Sequence, residues 1–412
     1  MRFISLFFAI FILLFTSCHK NNETPADDKP AKTDIPYVVM LSLDGFRWNY
    51  ADRTSTPALD KIAQKGIRAE MTASFPTKTF PNHYTIATGL YPDHHGIVNN
   101  TFWDPQRGVL YKISDRSKVQ DGYFYGGEPI WVTAEKQDVR SASFFWVGSE
   151  AKIGGYYPSI WKTYEHNFPF YQRADSVIAW LQLPENRRPH LITWYLSEPD
   201  GSGHRYGPES QEITDTIQGL DKIVGYFLTK LEKLDIAGEV NVIIVSDHGM
   251  QEISSQRVIR LRDYIKSDWV AGANGGNPVY NIWAKNGYKD SIANALANVP
   301  HLSLYTKSTI PARMHYMNHE RCGDFVAVAD SSWSLFDSYV PNFTIGGTHG
   351  YDNANRNMNA IFYAYGPNFN TQSANNTKLN NVDIYNMICE ILKLKAASND
   401  GDASRVGDFV KE

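Results

Sequence analysis

Residues 37–45 read YVVMLSLDG. A nearly continuous apolar run of seven residues, stopped by Asp44-Gly45, suggests a strand buried on both faces, as in a parallel sheet. Two later runs repeat the arrangement. HLITWYLS, residues 190–197, leads into EPDGSGHRYGP, and VNVIIV, residues 240–245, leads into Ser246-Asp247-His248-Gly249. Helical patterns lie between them. One spans residues 57–65 and stops at Gly66; another spans 170–181. The longest covers 209–234, with Ile213, Ile217, Leu220, Ile223, Val224, Phe227 and Leu231 at helix spacing. A strand over 360–365 and a helix over 382–394 follow, while 254–341 reads only as short elements. Strands alternating with helices predict an α/β, doubly wound, mostly parallel central sheet flanked by helices. No linker interrupts it, so residues 35–412 read as a single domain.

Open sheets of this kind bind ligands outside their strand C-termini. Asp44 ends the first strand there. Asp200 and His204 follow the second, four apart and separated by small residues. Asp247 and His248 end the third, and His349 lies between glycines in GGTHGYDN, residues 346–353. Asp and His without a thiolate suit zinc and similar divalent ions. Three carboxylates and three imidazoles are enough for two ions, three ligands each.

Residues 75–100, FPTKTFPNHYTIATGLYPDHHGIVNN, add hydroxyls. Thr77 and Thr79 precede Pro81, which suits the first turn of a helix over 82–88 that stops at Gly89. A helix N-terminus attracts anions such as a phosphoryl group. Two divalent ions and three aspartates leave one positive charge, which a Thr79 alkoxide would balance. A metal makes such an alcohol a usable nucleophile, and two metals clamp both oxygens of an in-line phosphoryl displacement.

Each feature also has a plain structural reading. Thr79 alone could be a helix cap, and Asp44 alone a turn residue. Adjacent acid and imidazole at a buried strand end are harder to explain without a ligand. His83 reads as a helix residue, and His94 and His95 as turn residues.

At the N-terminus, Arg2 and an apolar run over 4–15 form a signal peptide, residues 1–17. Cys18 follows at once, as in a bacterial lipoprotein box, and the polar stretch 18–34 reads as a lipidated, flexible tether. The expectation is an exported periplasmic or cell-surface bacterial lipoprotein, held to a membrane through Cys18. Cys389 fits an apolar helix face, so a Cys322–Cys389 bridge has little support. Net charge is −4 with no Lys/Arg run, which argues against duplex nucleic acid as a partner. Aromatics make up 13% of the chain, enough for flat walls around a ring-bearing ligand as well as for the core.

Together LSLDGFR, TKTFPNHYTIATGLYPDHHGIVNN, EPDGSGHRYGP, VSDHGM and THGYDN resemble the nucleotide pyrophosphatase/phosphodiesterase family of the alkaline phosphatase superfamily. The resemblance runs from about residue 34 to 394. It implies one zinc on Asp200, His204 and His349, and a second on Asp44, Asp247 and His248, with Thr79 bridging. It places the nucleophile directly before FPN, which decides for Thr79 over Thr77. It makes Asn100 the support of a non-bridging phosphate oxygen. Phe80 and Tyr164 match the two faces that sandwich the base, and Trp146 and Tyr195 match further positions of the slot.

The expected function is hydrolysis of nucleotide phosphodiester or pyrophosphate bonds to nucleoside 5′-monophosphates. Two alternatives stand beside it. One is a phosphodiesterase for phosphocholine or glycerophospho headgroups, with Glu150 or Glu165 as the acid of a choline cage. The other is a surface lipoprotein that binds nucleotide or zinc without turnover. A phosphomonoesterase is the less expected reading, although Lys78 adds a positive charge beside Thr79.

Overall fold

The computed structural model describes residues 22–23, 34–371 and 379–411. The expected signal peptide, Cys18 and most of the tether lie outside the described residues. Within that tether Asn22–Glu23 pairs antiparallel with Ile160–Trp161, so two of its residues form a sheet edge.

Among the described residues nine strands make the central sheet. We number its main elements in chain order: β1 (Tyr37–Leu43), α1 (Pro57–Lys65), β2 (Ile67–Thr72), α2 (Thr79–Thr88), β3 (Ser141–Phe144), β4 (Ile160–Trp161), α3 (Phe170–Leu181), β5 (Leu191–Leu196), α4 (Asp200–Tyr206), α5 (Gln211–Leu231), β6 (Val240–Val245), β7 (Ala360–Tyr365), β8 (Leu379–Asn380) and α6 (Asp383–Ile391). From the Asn22–Glu23 edge the order is β4-β3-β5-β1-β6-β7-β2-β8. Strands β4, β3, β5, β1 and β6 run parallel. β7 runs against both its neighbours, β6 and β2.

Every residue of β1 is buried. Val38 and Met40 face one apolar cluster, which includes Ile86 and Ala87 of α2 and Ile388 of α6. Val39, Leu41 and Leu43 face another, formed with α1, α3 and α5. This period-two alternation explains why the strand reads as unbroken apolar sequence: the sheet is covered on both faces. The seven apolar positions expected on α5 are all buried.

Register then sets the active edge. Leu43 pairs with Leu196 and Ser42 with Val245, so β5, β1 and β6 end side by side. Their next residues emerge together. The turn after β1 is clipped to both neighbours: Phe46 N–H donates to Ser246 Oγ at 2.9 Å, and Asp200 N–H to Asp44 O at 2.9 Å. Gly45 sits at φ +70, and a Cβ there would lie 3.0 Å from Asp200 Cα. Both facts favour glycine.

Between β6 and β7 the chain builds a second, antiparallel sheet of four strands, Val270–Gly276, Val279–Ala284, Phe325–Ala329 and Leu302–Tyr305 in spatial order. It has its own apolar cluster. A ribbon of Gln251–Ser254 on Ile345–Thr348 returns the chain to the active edge. Among the described residues no helix is long and apolar enough to cross a membrane.

Candidate active site

The six expected ligand residues come together by three routes. Asp44, Asp247 and His248 do so through the parallel strand ends. Asp200 and His204 lie on α4 rather than in a loop, and their i, i+4 spacing puts them on one helix face. His349 arrives differently from the strand-end expectation. The Gln251–Thr348 pairing carries it in from the two-stranded ribbon, outside the central sheet.

Their inward atoms are close. His248 Nε2 is 3.0 Å from Asp247 Oδ2 and 3.5 Å from Asp44 Oδ1. His204 Nε2 and His349 Nε2 are 3.3 and 3.6 Å from Asp200 Oδ1. Asp44, Asp247 and His248 have ligand atoms within 4.8 Å of one another, as expected. The second such set is Asp200, His349 and His248. His248 therefore stands between the two groups, its ring stacked on His349 at 3.5 Å between centroids. His204 remains beside the same Asp200 oxygen.

The donor set fits bound cations. Asp44 Oδ1, Asp200 Oδ1 and Asp247 Oδ2 are buried without a hydrogen-bond partner. Such atoms are costly unless something positive faces them. The other oxygens of Asp44 and Asp247 are held, by Tyr195 OH at 2.5 Å and Gly45 N–H at 3.1 Å. Each histidine also has its Nδ1 on a main-chain carbonyl: His204 on Gly347, His248 on Gly249 and His349 on Thr77, all at 2.8 Å. A carbonyl accepts, so Nδ1 carries the proton and Nε2 presents a lone pair inward.

Burial, then Asp247 and Asp200, pushes the Asp44 carboxyl well above its usual range. Burial alone would raise Asp247 too, but the His248 and His83 imidazoles outweigh it and hold that acid low. Burial, then His248, Lys78 and His204, pushes His349 well below its usual range.

Thr79 is the first residue of α2, which begins three residues earlier than Pro81 suggests. Its Oγ1 lies 3.3 Å from His248 Nε2. The helix end offers fewer free donors than expected. Pro81 has none, and Phe80 N–H is taken by Asn100 Oδ1 at 2.9 Å. That bond fixes the Asn100 amide beside Thr79. Thr77 has a different task. Its hydroxyl donates to Tyr351 O at 3.1 Å and accepts from Gly350 N–H at 2.9 Å, clamping the turn after His349.

A cavity of about 270 Å³ opens from Thr79. Phe80, Trp146, Tyr164 and Tyr195 all line it, as expected. Trp146 is also a core residue, with its Nε1–H on His83 O at 2.9 Å. Tyr195 has a second role through Asp44. Asn100 is not part of this lining. Glu150 is at the cavity but pairs with Arg116 and accepts from Gln120, so its charge is already met. Glu165 does not line it.

Sequence reading missed His83, Phe145 and His166, all of which line the cavity. His83 Nδ1 is 2.9 Å from Thr79 O and 3.3 Å from Asp247 Oδ2, and Nε2 is 2.8 Å from Ser42 Oγ. Its i, i+4 relation to Thr79 was the available signal. Lys78 is buried; desolvation lowers it to about 7, and its Nζ donates to Asn277 O at 2.5 Å.

A doubly wound sheet with this edge defines an alkaline-phosphatase-like α/β protein. The chain belongs to the type I phosphodiesterase / nucleotide pyrophosphatase family, which it matches over residues 38–352. Murine ectonucleotide pyrophosphatase / phosphodiesterase 5 superposes with a TM-score of 0.85 at 34% identity, covering 91% of this chain and 100% of that one. An inactive form of that murine protein in complex with AMP gives 0.86. A venom phosphodiesterase of Crotalus durissus collilineatus is 38% identical over 395 residues, 93% of this chain and 47% of its own. Human ectonucleotide pyrophosphatase/phosphodiesterase family member 1 is 36% identical over 407 residues, 96% of this chain and 44% of its own. The chain thus spans about half the length of these two curated relatives.

Proposed function

We propose that this chain hydrolyses nucleotide phosphodiester or pyrophosphate bonds with Thr79 as nucleophile and two zinc ions, releasing nucleoside 5′-monophosphates. Asp200, His204 and His349 would hold one ion, and Asp44, Asp247 and His248 the other, with Thr79 between them. The observation that carries the reading is the trio of partnerless carboxylate oxygens gathered around Thr79 at the mouth of an aromatic cavity. Bound ions would neutralise these acids and the charge that builds up on the phosphoryl group.

The chain supplies the rest. Thr79 Oγ1 forms the bond to phosphorus as the leaving group departs, and water later breaks that bond. Asn100, anchored through its Oδ1, has Nδ2 left to donate to a phosphoryl oxygen. Phe80 and Tyr164 offer faces for the base, with Trp146 and Tyr195 behind them. Stacking needs no particular base edge, so base preference should be loose. The AMP complex of the murine neighbour, described as inactive with one threonine replaced by alanine, supports both nucleotide and nucleophile. The Arg116 partner of Glu150 weighs against a choline cage. Export and anchoring through Cys18 in a bacterial envelope belong to the same reading and rest on residues 1–34.

The test compares thymidine 5′-p-nitrophenyl phosphate, p-nitrophenyl phosphate and p-nitrophenyl phosphocholine on one zinc-supplied preparation. The nucleoside ester should have the highest kcat/KM. Preference for phosphocholine would overturn the nucleotide reading, and turnover of none would leave a binding lipoprotein.

A further inference from the structure

Arg173 is the largest charged side chain in the fully buried interior. Its hydrogen bonds end on main-chain carbonyls: Nε on Phe168 at 3.0 Å, Nη1 on Tyr195 at 2.8 Å, and Nη2 on His166 at 3.0 Å and Glu165 at 3.3 Å. A buried guanidinium is costly, and an apolar side chain could fill the same volume. What an apolar side chain cannot do is fix four carbonyls in one plane.

Three of those carbonyls belong to residues 165–168, the segment directly after Tyr164. His166 is tied again, by its Nδ1 at 3.0 Å from Tyr164 OH. The guanidinium also lies over the Phe145 ring, 5.1 Å from its centroid, and Phe145 packs edge-on against Tyr164 at 5.0 Å. Tyr164, Phe145 and His166 all line the cavity; Arg173 does not. One buried cation thus stands behind a whole wall of the slot.

We propose that Arg173 is the positioning residue of the slot, setting the Tyr164 and Phe145 rings for a stacked base. The inference rests on the nucleotide reading above. It also separates base from phosphoryl group. Tyr195 stays in place without Arg173, because it pairs with Ser42 of β1 and the preceding Trp194 pairs with Phe144 of β3. Residues 165–168 have no such ladder. Loss of Arg173 therefore loosens the base wall and leaves the Asp44–Tyr195 contact intact.

Arg173→Met and Arg173→Lys test this. Lysine keeps the charge but cannot span four carbonyls. AMP affinity is measured by calorimetry on the zinc-loaded protein. Turnover is measured with thymidine 5′-p-nitrophenyl phosphate and with methyl p-nitrophenyl phosphate, whose methyl group leaves the slot empty. Both variants should weaken AMP binding and raise the nucleoside KM by about tenfold, with kcat and the methyl ester within about threefold of wild type. If Arg173→Met does not fold, the lysine variant is read alone. Unchanged AMP affinity, or an equal loss on both esters, would overturn the proposal. Wild-type protein that neither binds AMP nor cleaves the nucleoside ester refutes the nucleotide reading instead.

Discussion

Thr77 and Thr79 should fail in opposite ways when each is replaced by alanine. Thr79 Oγ1 faces His248 Nε2 at 3.3 Å and carries no other hydrogen bond that the fold depends on. Alanine is a good helix former at the first position of α2, so stability should change by less than about 1 kcal/mol. The attacking oxygen is gone, and the nearby Tyr195 hydroxyl is held by Asp44. We expect kcat to fall by at least about 10³-fold, roughly 4 kcal/mol of activation free energy. Thr77 is fully buried and makes two hydrogen bonds, to Gly350 N–H and Tyr351 O. Its loss leaves both unsatisfied, at a cost of about 2–3 kcal/mol. A chain of this size should then melt roughly 3 °C lower. The same turn carries His349, so Thr77→Ala should also need more zinc for half-maximal activity. Thermal melts with and without chelator, beside zinc titrations of nucleoside-ester turnover, read both variants. A fully active Thr79→Ala, or a dead Thr77→Ala that melts like wild type and takes up full metal, would refute this reasoning.

Three more expectations follow from the same geometry. Chelation should abolish turnover and zinc restore it, with metal analysis finding about two ions per chain; full activity with one ion at saturation would refute the two-ion site. His95 is fully buried, accepts from Ile97 N–H at Nδ1, and is pushed down to about 3, chiefly by burial. Between about pH 3 and 6.5 the unfolded chain holds a proton there that the folded one lacks. Stability is therefore full above pH 6.5 and falls below it, by about 1.4 kcal/mol per pH unit from this residue; urea titrations of His95→Gln should show a shallower slope, and an unchanged slope contradicts it. Cys18→Ser should move the protein from membranes to the soluble exported fraction, and continued membrane association would count against a lipid at Cys18.

Much of the active edge was legible because its residues follow strongly patterned strands. β1 and β6 are nearly continuous apolar runs, broken only by Ser42 and Asn241, with an acid just past each end, and parallel pairing aligns them. The aromatic cavity residues beside Thr79 were legible through motif order. The second sheet was not. Its strand Val270–Gly276 reads VAGANGG, with three glycines and no apolar alternation, and its stability comes from partners distant in sequence. Arg173 was hidden for a related reason. A charged residue in an amphipathic helix pattern reads as solvent-facing, and only the fold shows four carbonyls waiting for it.

The two threonines show where local reading stops. Position directly before FPN ranks Thr79 above Thr77 by resemblance, and the fold gives the two hydroxyls different partners. It does so for a reason no local pattern contains. Thr77 is committed to residues 350 and 351, more than 270 positions away, and a Cβ at Gly350 would lie 2.4 Å from Lys78 Cε. The two segments interlock, so the position of His349 depends on Thr77 and Lys78 as much as on its own strand. A hydroxyl with both partners supplied by the fold holds structure together. One that faces a histidine Nε2, with three partnerless carboxylate oxygens nearby, fits the proposed nucleophile.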